Sequence, residues 1–141
     1  MRPPNLWLRR LLSLCPVLIG LLWVAGISNF RGYTLDGREW AVLLAAALAL
    51  HAITTMLQRR RPAPVLPEGT NPVKVSLLAA AMLAALAAIG GAVLESVADH
   101  YQPSEVALPW RATWHAACTF AATYCGFLQR LVLGPIARTK R

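Results

Sequence analysis

The sequence predicts an all-α polytopic membrane protein, four transmembrane helices packed as two hairpins, on three observations. Four apolar runs are each long enough to cross a bilayer, at about residues 11–27, 40–57, 75–94 and 110–128. The composition is 57% apolar and 14% charged, with a mean hydropathy of +0.49, outside the range of soluble globular chains. The basic residues fall in alternate gaps. Arg2, Arg9 and Arg10 precede the first run; Arg59, Arg60, Arg61 and Lys74 separate the second and third; Arg130, Arg138, Lys140 and Arg141 follow the fourth. Arg31, Arg38 and Arg111 share the other gaps with Asp36, Glu39, Glu95, Asp99 and Glu105. Short loops rich in Lys and Arg stay cytoplasmic. Both termini are therefore expected inside, in a bacterial inner membrane, with residues 1–141 forming one four-helix domain.

The first run begins after Arg10 and contains Pro16, which removes one helical hydrogen bond. Its basic start and apolar body imitate a signal peptide, but it is read as a retained span. Its removal would place the Arg59–Arg61 loop on the wrong side. Ser28–Glu39 is a polar hairpin with Gly32 and Gly37 for its turns. Trp40 opens the second run at the interface, and Ala41, Ala45 and Ala49 form a stripe of small side chains along it. Residues 61–72 hold Pro62, Pro64, Pro67 and Pro72 and read as a stiff cytoplasmic connector between the hairpins.

The third run carries a longer stripe, Ala80, Ala84, Ala88 and Ala92, and is expected to be the most buried. The two hairpins are expected to meet along these alanine-rich second and third runs. Pro109 is a good first residue for the fourth helix, with Trp110 and Trp114 at the interface. Trp40 to Leu57-Gln58-Arg59 is echoed by Trp110 to Leu128-Gln129-Arg130, a pattern that any span of this direction tends to show.

The pI near 10.5 does not imply a nucleic-acid partner, because the topology already accounts for the excess charge. Juxtamembrane basic clusters instead meet anionic inner-leaflet lipid, at about 1 kcal/mol per residue. Cys15, Cys118 and Cys125 all lie inside apolar runs. Cys118 and Cys125 are separated by about 10 Å along a helix and cannot bridge to each other.

Polar residues inside a membrane are functional candidates by default. His51 lies about 16 Å past Trp40 along a helix, and His115 only about 7 Å past Trp110. That difference in depth argues against one haem held between them. His115, Cys118 and Cys125 share a helix face, and imidazole with thiolate suits copper or zinc, so His115 and Cys118 are the candidate metal ligands. No Cys-x-x-Cys or His-x-x-x-His pair supports them. Buried cysteines commonly serve as apolar filler. Glu95 and Asp99 close the third run and are expected to be solvated. Phosphate-binding loops, nucleophile elbows and zinc-hydrolase motifs are all missing, and no carboxylate sits mid-span.

The expectation is a non-enzymatic protein without cofactor, acting by intramembrane recognition of a partner as an accessory subunit, assembly factor or immunity-type protein. A small transporter or channel built as a homo-oligomer is the alternative, and a haem- or metal-binding redox protein a weaker one. The sequence does not specify the partner, substrate or process.

Overall fold

The computed structural model describes residues 6–60 and 66–131, and its regular structure there is all helix: α1 (Leu6–Phe30), α2 (Gly37–Arg60), α3 (Pro72–Tyr101) and α4 (Leu108–Leu131). Three stretches are long and apolar enough to cross a membrane: Leu11–Phe30, Gly37–Met56 and Pro72–Tyr101. The fourth helix is not among them. Arg111, His115, Gln129, Arg130 and three threonines dilute its apolar content. The prolines at 62 and 64 and the basic tail after 131 lie outside the described residues.

Local chemistry sets each helix end. At the end of α1, Gly32 takes a left-handed conformation (φ +68°). Its N–H bonds to the Asn29 carbonyl (3.0 Å), and that of Tyr33 bonds to the Ser28 carbonyl (3.0 Å). This is the paired closure that a glycine just past a helix allows, and it fixes Arg31 as the capping residue. Asp36 caps α2: its carboxylate accepts from the Arg38 and Glu39 N–H groups (2.8 Å each). Glu39 accepts in return from the Asp36 N–H (2.9 Å), a reciprocal capping box. Tyr33 also donates to Glu39, which holds its phenol above the ordinary range. Gly69 (φ +81°) completes a turn from Pro67 to Thr70. Asn71 then caps α3, with Pro72 at its first turn.

The order of packing differs from the expected one. In the described residues α4 lies between α3 and α1, α2 touches only α1, and α2 and α3 make no contact. The hairpins therefore join through α1 and α4, each of which has two neighbours, whereas α3 has one. On α3 the buried residues are Ser76, Ala80, Ala84, Gly91 and Glu95. The expected stripe is present at Ala80 and Ala84. A strict four-residue step then drifts around the helix, so the face continues through Gly91 while Ala88 and Ala92 are only half-buried. The α2 stripe packs against nothing in the described chain. Ala41, Ala45 and Ala49 are exposed, while Leu43, Ala47, His51 and Thr55 are half-buried on the other face.

The distribution of polarity is inverted relative to a soluble bundle. The buried apolar residues are few, Val17, Ala80 and Ala84, whereas Ser76, Glu95, Arg111 and His115 are buried and polar. Leu18, Leu22, Val42, Leu50, Leu86 and Ile89 are all more than half exposed. Such a continuous apolar exterior is unsuited to water and suited to lipid. Small side chains and polar contacts then hold the helices together in place of a large hydrophobic core.

Candidate functional site

At the ends of α1 and α3 and the start of α4, six side chains from three helices converge. Glu95 and Asp99 stand one turn apart on α3, which puts both carboxylates on one face. Arg111 and His115 have the same spacing on α4 and face them. Arg31 arrives from the C-cap of α1, and Trp23 from two turns earlier in that helix.

Arg111 donates from Nη1 to Glu95 Oε2 and Asp99 Oδ1 (2.8 Å each), and from Nη2 to Asp99 Oδ2 (2.5 Å). Arg31 donates to Asp99 Oδ1 (2.7 Å), to Glu95 Oε2 and to the Gln102 carbonyl. Gln102 returns a bond from its amide to the Arg31 carbonyl (3.3 Å), and Ser104 donates to the Phe30 carbonyl. The burial is steep: Glu95 is 4% exposed, Arg111 2% and His115 5%.

The state of His115 follows from its neighbours. The Trp23 indole N–H, which can only donate, bonds to His115 Nδ1 at 2.9 Å. Nδ1 must therefore present its lone pair, and the ring proton resides on Nε2. That N–H donates to Glu95 Oε1, 3.1 Å away. His115 is neutral in this arrangement. Two guanidinium groups and two carboxylates then sum to zero, the condition under which charge is tolerable in a low-dielectric setting. Gly91 lets the imidazole lie against the α3 backbone: an added Cβ would stand 2.6 Å from His115 Cδ2.

Chemically this is a clamp. Both oxygens of Glu95 and both of Asp99 accept bonds from Arg31, Arg111 or His115. That leaves no carboxylate oxygen free of a partner to act as a base. Among the described buried side-chain atoms, Arg111 Nε lacks a partner. The cluster ties three helices together through hydrogen-bonded ion pairs.

Of the residues singled out from sequence, Glu95, Asp99 and His115 come together. The expectation that Glu95 and Asp99 are solvated is corrected. Glu95 is buried because two arginines reach it, and Asp99 keeps a partly exposed edge. Cys118 is separate from the cluster, in a groove between α1 and α4 lined by Pro16, Gly20, Trp23, Ala122 and Thr123. Both ring nitrogens of His115 are engaged within the protein, and among the described residues no group of three His, Cys, Asp or Glu side chains is arranged to hold a metal ion. His51 is half-buried on α2, which does not touch α4.

Sequence reasoning missed Arg31, Arg111 and Trp23 as members. A signal existed for the first two: they are basic residues in gaps otherwise rich in acid, and residues 95/99 and 111/115 repeat the same one-turn spacing. Trp23 had none, since a tryptophan near a span end is ordinarily an interface anchor. No known protein family, curated protein or solved structure matches the chain.

Proposed function

We propose that the chain is a non-enzymatic, multi-pass protein of a bacterial inner membrane that recognises a membrane-protein partner through α2. The observation that carries this reading is the unmatched face of α2. This helix meets only α1 in the described chain, and its Ala41, Ala45 and Ala49 stripe is exposed. Small side chains at four-residue spacing permit close backbone approach, the main source of helix affinity in lipid. The clamp supports the reading indirectly. It fixes α1, α3 and α4 to one another and leaves α2 as the helix with packing capacity to spare. In this reading α4 also crosses the bilayer, its polar residues Arg111 and His115 turned onto α3 and α1 and away from lipid. The partner is another membrane protein or a second copy.

Crosslinking in native membranes followed by mass analysis tests the proposal. The expected product is a stoichiometric adduct, with a partner chain or a defined homo-oligomer, that is lost on Ala45→Leu while the protein remains folded. Recovery of only the 15.3 kDa monomer would overturn the reading.

Orientation is testable separately. With both termini cytoplasmic, single cysteines at Gly32 and Gln102 in a cysteine-free background are expected to react with an impermeant thiol reagent from outside. One at Ala63 is expected to stay unreacted in intact cells. Labelling at 63 would invert the map.

A further inference from the structure

Helices α1 and α4 run antiparallel in a regular register. Phe30 and Gly26 meet Trp114, Trp23 meets His115, and Pro16 and Gly20 line a groove with Cys118, Ala122 and Thr123. Continuing one step past Pro16 on α1, and two past Thr123 on α4, brings Cys15 opposite Cys125. Cys15 lies one turn before Ile19 and Cys125 two turns after Cys118, both on the faces that line this groove, so the two side chains face each other across the helix pair. Neither is fully enclosed, and both are free. Cys15 follows Arg10 by five residues and Cys125 precedes Arg130 by five, so both stand near one polar end of the bundle, opposite the clamp. Cys118 is about two turns further in.

From this juxtaposition we infer that Cys15 and Cys125 are a reversible oxidation site, closing to a disulfide that staples α1 to α4 when a low-molecular-weight disulfide is available as oxidant. The Cys125 thiolate attacks one sulfur of the small disulfide, and one small thiol leaves. The mixed disulfide is then displaced by the Cys15 thiolate, releasing the second small thiol. Two protein thiols are oxidised and one small disulfide is reduced to two thiols. A disulfide needs Cβ atoms about 3.5–4.5 Å apart, a separation within reach of two cysteines that face each other across a helix pair. The staple would bind the end of the α1–α4 pair that the ion cluster does not hold. This inference is independent of any partner on α2.

The test uses the full chain in mild detergent, with Cys118→Ser leaving only the pair. After oxidised glutathione, the remaining thiols are tagged with a maleimide reagent and the intact mass is measured. The expected change is from two tags to none, with no retained glutathione and no dimer on a non-reducing gel, reversed by dithiothreitol. In Cys15→Ser the resolving thiol is gone, and the expected product is Cys125 carrying glutathione. Retention of both tags, a stable glutathione adduct on the intact pair, or a disulfide between two copies would each overturn the inference.

Discussion

Glu95→Ala is expected to lower the unfolding free energy in detergent by about 3–5 kcal/mol, the scale for removing one partner of a buried ion pair. Glu95 accepts from Arg31, Arg111 and His115. Its loss leaves the cluster with two guanidinium groups against one carboxylate. Arg111, at 2% exposure, cannot turn to solvent to recover hydration. Glu95→Gln retains an acceptor but not the charge, and it is expected to fall between the wild type and the alanine variant. A double-mutant cycle with Arg31→Ala separates the pair from the burial cost, because the two residues come from different helices and touch directly. Thermal unfolding followed by helix signal is the measurement. An alanine variant with the wild-type midpoint would show that these pairs contribute nothing to holding α1, α3 and α4 together.

The same cluster marks what a sequence alone can and cannot deliver. The four helices were legible because apolar length is a local property, but α2 and α3 start at Gly37 and Pro72, ahead of the apolar runs at 40 and 75, where the Asp36–Glu39 capping box and Asn71 begin them. The first half of the α3 packing face, Ala80 and Ala84, was legible because small residues recur at helical spacing, while its continuation through Gly91 was not. Helix order was not. Two alanine stripes look alike in sequence, yet the one at Ala80 and Ala84 is buried on α3 and the one at Ala41, Ala45 and Ala49 is exposed. The difference lies in which surface approaches, and Arg111 with His115 directs α4 onto α3. Within the described chain the polar pairs between α3 and α4 set which helices meet, and the small residues of α3 allow the close approach. Reading Glu95 and Asp99 as solvated failed because their cations come from elsewhere in the chain, Arg31 from far upstream and Arg111 from the next helix.

The neighbouring glycines of α3 separate packing from helix propensity most sharply. At Gly90 an added Cβ meets nothing within 4 Å, so Gly90→Ala is expected to be neutral or to stabilise by up to about 1 kcal/mol through reduced chain freedom in the unfolded state. At Gly91 the same methyl would stand 2.6 Å from His115 Cδ2, 2.7 Å from Cγ and 2.8 Å from Cβ. The last of these atoms is fixed to the α4 backbone, so rotating the ring does not clear it. Nor is the ring free to rotate, since Trp23 holds one nitrogen and Glu95 the other. Helix α4 must then move away from α3, which stretches every ion pair from Arg111. Gly91→Ala is therefore expected to cost about 1–3 kcal/mol by overpacking, plus whatever the clamp loses. Gly26→Ala supplies an intermediate case. Its methyl would enter the Trp114 indole, but the three atoms it meets most closely belong to the ring, and a ring can turn about its own side-chain bonds. The expected order of unfolding midpoints is Gly90→Ala at or above the wild type, then Gly26→Ala, then Gly91→Ala lowest. Tryptophan fluorescence adds a second readout: loss of the Trp23–His115 bond should change emission in Gly91→Ala and leave Gly90→Ala unaltered. If the two alanine variants at 90 and 91 unfolded together, the close approach of α3 to His115 would be refuted, and with it the placement of α4 between α3 and α1.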